Sequence, residues 1–166
     1  MELYQPLTSG TPERTYNGVV PKNTQKRVII KEPGLADAYL QSQDGSKDFN
    51  WGYGGGGPSR LAEALASDAF DDATYGEIFG FCFRDALVKT LEKDKPFVLS
   101  RDRLIVEGLV HLTDLVNKSR LPAGKMLRED IQEFIAKHHQ VRARMMSLLS
   151  QNALTNLVKS KFGIQQ

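Results

Sequence analysis

The 166-residue sequence predicts an α+β protein, in which a small N-terminal antiparallel sheet is followed by a helical part of four to five helices. Two observations carry this prediction. Short segments rich in β-branched and aromatic residues are concentrated before residue 54, whereas apolar residues at helical spacing dominate after residue 58. A glycine-rich run, residues 52–57, separates the two regions and follows Trp51, the only tryptophan.

Two strands are predicted at the start of the sheet. Residues 15–20, T-Y-N-G-V-V, favour the first strand, although Asn17-Gly18 suggests a turn or bulge within it. Residues 28–30, V-I-I, favour the second strand. The two strands are expected to form a hairpin with residues 21–25 in its loop.

Aromatic residues alternate with polar or small residues just before the glycine run. Phe49, Trp51 and Tyr53 are two residues apart, and this period predicts that all three rings lie on one face of a short strand. Residues 34–47 fit either a helical turn or a loop.

The first two helices follow the glycine run. Pro58 is the expected first helical residue, because its fixed φ suits that position and its missing N–H is no loss there. The helix is expected to end at Asp71-Asp72, and a second helix is predicted over about residues 74–93. The apolar stripe of the first helix consists of Leu61, Ala62, Leu65, Ala69 and Phe70.

The remaining elements are a strand and up to three helices. The segment P-F-V-L-S is predicted to be a short strand, and Ser100 suits the N-cap of the helix after it, which runs to about Asn117. Apolar residues from Ile131 to Leu148 predict one long amphipathic helix, and a final helix is predicted near residues 151–162.

Composition divides the chain into three parts. Residues 1–13 are rich in Pro, Gly, Thr and Ser and are expected to form a flexible arm. Residues 14–118 are expected to form the core domain, and residues 119–166 a C-terminal helical extension. We predict a cytoplasmic protein without a membrane segment, because no apolar run is long enough to span a bilayer and the single cysteine, Cys82, has no intrachain partner.

The glycine run formally matches the G-x-G-x-x-G pattern of dinucleotide-binding loops. The segment before it is polar and aromatic rather than a buried parallel strand, and no acidic residue follows a second strand at the required distance, so a dinucleotide fold is rejected. Glycine N–H groups at a helix N-terminus nevertheless make an anion site. The predicted ligand-binding residues are Trp51 and Tyr53 for stacking, Gly54, Gly55, Gly56 and Gly57 for backbone contacts, and Arg60 for charge.

The alternative is that the glycine run is only a turn. A chain that leaves a strand and enters a helix at once needs positive φ, which glycine adopts without steric cost. Trp51 and Tyr53 would then belong to the core.

The stretch W-G-Y-G-G-G-G-P-S-R-L-A-E-A-L resembles the signature of a bacterial and phage family of unknown function, which reads approximately W-G-Y-G-G-S-G-P. The resemblance covers about residues 14–116. It implies a common fold and no particular activity. Gly56 and Arg60 depart from the signature, because the family has serine and glutamine at these two positions.

No catalytic or metal-binding constellation is recognisable in the sequence. The adjacent histidines His138 and His139 point about 100° apart on a helix and do not chelate one metal together. We therefore predict a protein that is not an enzyme and that uses no cofactor.

The C-terminal part is basic, with seven Lys and Arg against three Asp and Glu in residues 125–166. Lys137, Arg142 and Arg144 are the predicted contacts to an acidic partner. Packing of these helices on the core of the protein is the alternative.

Two functions remain open. The first is a non-catalytic binding module that holds a small anionic, nucleotide-like ligand at the glycine run. Because the resemblance includes phage members, sequestration of a host signalling nucleotide is its concrete form. The second is a protein–protein interaction module or inhibitor of a host factor, with homo-oligomers as a further option. The sequence favours nucleic acid less than either of these partners.

Overall fold

The computed structural model of the protein describes residues 14–119, 129–150 and 153. It confirms the α+β prediction over these residues, with a four-stranded antiparallel sheet and five α-helices. In chain order the elements are β1 (Thr15–Val19), β2 (Arg27–Lys31), β3 (Ala38–Tyr39), α1 (Gly56–Phe70), α2 (Ala73–Ala86), a 3₁₀ turn (Val88–Thr90), β4 (Phe97–Ser100), α3 (Arg101–Ser119), α4 (Glu129–Ala136) and α5 (His138–Ser147).

The sheet has the strand order β3-β2-β1-β4, and every neighbouring pair is antiparallel. The predicted hairpin of β1 and β2 is confirmed. The prediction of a turn or bulge at Asn17-Gly18 is wrong, because both residues are regularly paired within β1. Gly18 is needed for another reason: a Cβ there would lie 2.2 Å from the ring of Phe97 on β4. The missing side chain therefore lets an aromatic ring fill the core side of the sheet.

Alternation along the strands gives the sheet two different faces. One face is buried against the helices and contains Tyr16, Val28, Ile30 and Phe97. The residues of the other face keep part of their surface exposed. The apolar stripe predicted for α1 is also confirmed, since all five of its residues are buried.

Helix α1 begins two residues earlier than predicted. It starts at Gly56, so that Pro58 is its third residue and not its first. A proline is tolerated anywhere in the first turn, where the N–H groups have no partner within the helix. The end of α1 is as predicted: Asp71 adopts the left-handed conformation with φ of 52°, and the Asp72 side chain caps α2 by accepting from the Thr74 N–H at 2.9 Å.

Helices α1 and α2 pack closely because α2 carries small residues at their crossing. A Cβ at Gly76 would lie 2.1 Å from Ser67 Oγ, and one at Gly80 would lie 2.6 Å from Glu63 Cγ. The predicted second helix over residues 74–93 is too long. It ends at Ala86, because Leu87 leaves the helical conformation and, with Val88, is buried in the core.

Strand β4 and the start of α3 are confirmed. The Ser100 side chain accepts a hydrogen bond from the Arg103 N–H at 3.1 Å, which is the expected N-cap contact. The single long helix predicted from Ile131 to Leu148 is wrong, because Lys137, with φ of −100° and ψ of 17°, separates α4 from α5. The apolar spacing continues across this break, so the sequence pattern does not reveal it.

Helices α4 and α5 pack on the rest of the molecule. Phe134 makes edge contacts with Tyr75 and Phe79 on α2, and Met145 is fully buried beside Gly108 and Phe70. The predicted arm, residues 1–13, and most of the predicted helix 151–162 lie outside the described residues. Within the described part of the chain, no helix has the length and apolarity needed to span a membrane.

Candidate functional site

The glycine run joins a buried tryptophan to the N-terminus of α1. Gly52 has φ of 86°, and its N–H donates to the Val88 carbonyl at 3.1 Å. Gly55 is the N-cap of α1 with φ of 151°. Both are conformations that L side chains rarely adopt, so glycine is needed at these two positions. A Cβ added at Gly54 or Gly56, by contrast, would face open space.

Trp51 lies in the core with none of its surface exposed. Its indole N–H donates to the Lys95 carbonyl at 2.9 Å, and its ring meets the edge of Phe97 at a centroid distance of 4.9 Å. Lys26 Nζ lies 5.0 Å from the ring centroid. The indole therefore offers no open face to a ligand. Its hydrogen bond and packing hold the segment before the glycine run in place.

The predicted strand carrying Phe49, Trp51 and Tyr53 is not formed. Phe49 and Trp51 are buried, whereas 38% of Tyr53 is exposed, so the three rings do not share one environment. The ring of Tyr53 lies back over the glycine run. Its Cε2 lies 3.3 Å from the position of a Cβ at Gly55, and its hydroxyl lies 3.0 Å from that position at Gly57.

Among the described residues, three cationic side chains lie at the exposed glycine turn. Arg60 lies on α1 itself and is exposed, and Lys93 Nζ lies 5.8 Å from the Tyr53 ring centroid. Arg84 reaches from α2 to the first turn of α1, where its Nη1 donates to the Ser59 hydroxyl at 3.3 Å. Ser59 in turn donates to the Gly55 carbonyl at 2.8 Å.

Of these three cations, only Arg60 was predicted from the sequence. Arg84 and Lys93 lie far along the chain from the glycine run, and no spacing relates them to it. The contact of α1 with α2 positions Arg84, and the turn after the 3₁₀ segment positions Lys93.

Arg60 also influences the turn formed by residues 42–46. The pKa of Asp44 lies below its usual range. The main cause is the hydrogen bond that the Ser42 hydroxyl donates to the carboxylate, and the second is the hydrogen bond from the Ser46 N–H. The positive charge of Arg60 contributes a smaller lowering of the same pKa. The charge of Arg60 therefore acts on the acidic turn as well as on the glycine run.

The opposite end of α1 is neutralised by arginines from three separate segments. Arg101 donates to the Ala69 carbonyl at 2.7 Å, and Arg14 forms a two-pronged ion pair with Asp68. Arg144 donates to the Phe70 carbonyl at 3.0 Å and to the carboxylate of Asp72 at 3.1 Å. Cations are favourable there because the last carbonyls of a helix carry partial negative charge.

Of the three residues predicted to contact a partner, Arg144 is thus engaged within the protein, where its guanidinium also lies over the Tyr75 ring. Lys137 pairs with Glu133 at 2.9 Å, but 59% of its side chain is exposed. Arg142 is half-buried.

A charged network ties β1 to α1. Asp68 accepts a hydrogen bond from the Tyr16 hydroxyl at 2.6 Å in addition to those from Arg14, and Arg14 also pairs with Glu32 at 2.8 Å. Burial, followed by the negative charge of Asp68, raises the pKa of Tyr16 well above its usual value. Because each group has a partner of opposite charge or a hydrogen bond, the network is structural in character.

The other reactive side chains that the structure describes form no further site. Cys82 is half-buried, and burial raises the pKa of its thiol, which disfavours the nucleophilic thiolate. His138 is bonded through Nδ1 to the Ile135 carbonyl at 2.8 Å. Among the described residues, no group of three or more His, Cys, Asp or Glu side chains is arranged to hold a metal ion.

Residues 12–107 match the model of a family described as a family of unknown function, DUF6166. This span is more than half of the chain. The protein belongs to the DUF6166 family. No curated protein and no solved structure matches the chain.

The DUF6166 span nearly coincides with the resemblance noted over residues 14–116, and its unknown function agrees with that resemblance. The bacterial and phage membership and the particular glycine signature remain predictions. The span contains the whole sheet, α1, α2 and the first turns of α3. The glycine turn therefore belongs to the family domain, whereas α4 and α5 lie outside the matched residues.

Proposed function

We propose that the protein is a non-catalytic binding module that holds a small anionic, nucleotide-like ligand at the glycine turn. The observation that carries the proposal is the meeting of Arg60, Arg84 and Lys93 at an exposed glycine turn that begins a helix. Backbone N–H groups at a helix N-terminus favour an anion, and arginines bind phosphate through paired donors.

The contacts of this site differ from those expected from the sequence. The ligand would meet the glycine backbone, the exposed part of Tyr53 and the three cations. Trp51 would hold the turn from the core side, where its ring is enclosed. A shallow, cationic surface with one half-exposed ring suits a phosphate group more than a deeply enclosed base.

The concrete form of the proposal is a phage-encoded protein that sequesters a host immune signalling nucleotide without converting it. Such a protein needs affinity and an open site, but no nucleophile or general base. The exposed glycine turn meets the second requirement.

The test is isothermal titration of the full chain with cyclic dinucleotides and ADP-ribose-type nucleotides, together with the melting temperature. We expect saturable binding and a raised melting temperature for at least one nucleotide, because a ligand that binds only the folded state stabilises it. Arg60→Ala and Arg84→Ala should each weaken binding about tenfold, as expected for the loss of a charged hydrogen bond. The recovered nucleotide should be chemically unchanged.

Arg103→Ala is the matched control. Arg103 lies at the start of α3, beside Arg101, which contacts the C-terminal end of α1. The 15 residues of α1 place that end about 20 Å from the glycine turn. The variant should bind like the unmodified protein. The proposal fails if no nucleotide gives saturable heat or a shift in melting temperature, or if Arg103→Ala and Arg60→Ala lose affinity equally.

A second candidate is a protein–protein interaction module that uses Lys137 and the basic residues of α5. It is favoured by the exposure of Lys137 next to an open groove between α2 and these helices, whose apolar lining includes Tyr75, Phe134 and Val141. The proposed partner is an acidic surface of a host protein.

Removing residues 125–166 would test this candidate poorly, because Phe134 and Met145 belong to the core. Lys137→Glu reverses a charge on the surface without touching the core. Affinity capture from a host lysate should lose any specific partner with this variant and retain it with Lys118→Glu, a reversal on α3. Equal capture by both variants would contradict the candidate.

A further inference from the structure

The outer face of the sheet is a second surface with a distinct chemistry. Helices cover the face that contains Tyr16, Val28 and Phe97. Besides the N-cap residue Ser100, eight side chains on the other face keep some exposure: Thr15, Asn17, Val19, Arg27, Ile29, Lys31, Tyr39 and Val98. We call these eight residues the outer sheet face.

One row of residues crosses all four strands on this face. Tyr39 on β3 lies opposite Ile29 on β2, Ile29 lies opposite Asn17 on β1, and Asn17 lies opposite Val98 on β4. Since neighbouring strands are about 4.8 Å apart, the row is roughly 14 Å long. Its two ends are the most open, with 48% of Tyr39 and 67% of Val98 exposed.

Cations surround the aromatic end of the row. Arg27 Cζ lies 5.6 Å and Lys47 Nζ lies 5.5 Å from the centroid of the Tyr39 ring. Lys31 lies on the outer sheet face two residues beyond Ile29 and is exposed. Asp48 contacts Arg27 at 3.4 Å, whereas no ion pair of Lys31 or Lys47 is seen within the described residues.

Asn17, the polar residue within the row, is held in a fixed orientation. The Asn17 side-chain amide donates to Thr15 Oγ1 at 2.9 Å and to the Ile29 carbonyl at 3.3 Å. Its side-chain oxygen remains an acceptor on a flat surface between two apolar side chains. The row thus combines an aromatic ring, two apolar side chains and one hydrogen-bonding group.

We propose that the outer sheet face binds single-stranded nucleic acid. A base would take the place of Arg27 or Lys47 over the Tyr39 ring, and a neighbouring base would lie over Ile29 and Asn17. The displaced cation, its neighbour and Lys31 would contact the phosphates. Flat faces with an exposed aromatic ring and interleaved cations are suited to this ligand, because every base has a face that stacks and every nucleotide carries a negative charge.

A protein partner fits this surface less well. The centres of protein interfaces are depleted in charged residues, and lysine in particular is under-represented there. Here Arg27 and Lys47 adjoin the exposed ring, and Lys31 is exposed on the same face of the sheet. The charge of the surface therefore favours a polyanion.

The first experiment is fluorescence anisotropy of the full chain with end-labelled 20-nucleotide single strands of thymidine DNA and uridine RNA at low salt. We expect saturable binding to one or both. Tyr39→Ala should weaken it at least about fivefold through the loss of stacking, and Tyr39→Phe should retain it. Phe81→Ala is the matched control, because it removes an exposed ring on α2, far along the chain from the outer sheet face, and it should bind like the unmodified protein.

The second experiment is the salt dependence of the same binding. Three phosphate contacts predict a slope of about −2 for the logarithm of the association constant against the logarithm of the salt concentration. Lys31→Ala should reduce the size of the slope by about 0.7. Lys118→Ala, on α3, should leave it unchanged.

Three results would overturn the proposal. The first is the absence of saturable binding to either strand. The second is binding that Tyr39→Ala leaves unchanged, which would indicate an unspecific polyanion contact. The third is dimerisation in light scattering that Tyr39→Ala abolishes, which would assign the face to a second copy of the chain.

Discussion

The glycines of the turn differ from one another in what they do. Gly52 has a left-handed backbone, and a Cβ there would lie 2.6 Å from the backbone N and Cα of Lys93. Gly54 has neither constraint, since nothing lies within 4 Å of the position of its Cβ. A single run of glycines therefore contains both structurally necessary positions and open positions.

This difference predicts opposite effects for the same substitution. Gly52→Ala should lower the free energy of unfolding by roughly 2–4 kcal/mol, because it combines left-handed strain with a clash against backbone. Gly54→Ala should change that free energy by no more than about 1 kcal/mol and in the stabilising direction, since alanine restricts the unfolded chain. Urea denaturation followed by Trp51 fluorescence measures both.

Equal losses in the two variants would contradict the assignment of Gly52 as a packing position. The Gly54→Ala variant can also be titrated with nucleotides, because its folded state should be intact. A loss of affinity in that variant would then report on the turn surface and not on stability.

The arginines show a similar division of roles. Arg144 was predicted as a partner contact because it belongs to a basic run, yet it caps the end of α1 and contacts Asp72. No role was predicted for Arg84 from the sequence, yet its side chain reaches the first turn of α1. Charge alone identifies neither role, because both depend on residues distant in the chain.

At the scale of elements, the sequence predicted their existence better than their ends. Strands β1, β2 and β4 and helices α1 to α3 follow from apolar spacing, β-branched composition and the Ser100 cap. The residue at which each element begins or ends depends on tertiary contacts. Helix α2 ends at Ala86 because Leu87 and Val88 turn into the core.

The break at Lys137 is the clearest of these boundaries. The apolar residues Phe134, Val141 and Met145 keep helical spacings of seven and four residues through it, so the pattern predicts a continuous helix. In the structure Phe134 packs on α2, whereas Met145 packs beside α1 and α3. The break at Lys137 gives two separate helices, and these allow both residues to make their contacts.

At the scale of the whole molecule, the C-terminal helices share one core with the family domain. Met145 and Leu149 are fully buried in the same cluster of buried residues as Phe70 and Tyr16. The Ser150 hydroxyl donates to the Asp102 carboxylate at 2.6 Å and adds a polar contact between the C-terminal segment and α3.

A shared core predicts cooperative unfolding. Met145→Ala should lower the free energy of unfolding by about 2–4 kcal/mol, because it leaves a cavity next to Phe70. Trp51 fluorescence, which reports on the region of the sheet, and far-UV circular dichroism, which reports on the helices, should shift to the same new midpoint of urea denaturation.

Met146→Ala is the neighbouring control. Met146 is only partly buried, so the variant should lose less than about 1 kcal/mol. A Met145→Ala variant whose Trp51 transition stays in place while the circular dichroism shifts would show that the C-terminal helices unfold independently.

The candidate site was only partly predictable for the same reason. The sequence located the glycine turn and Arg60, because a glycine run before a helix and a cation five residues beyond the N-cap are local features. It did not distinguish the buried Trp51 from the half-exposed Tyr53, since period two describes a strand and the segment forms none. Arg84 and Lys93 join the turn through packing alone.

The sequence by itself determined the fold class, most of the elements and the position of the glycine turn, because these depend on apolar period, β-branched composition and capping between residues close in the chain. The tertiary structure decided which rings are buried, which cations reach the turn and which residues of four strands form one row. Those outcomes depend on contacts between segments tens of residues apart, such as Trp51 with Lys95 and Arg84 with Ser59. No local pattern encodes them.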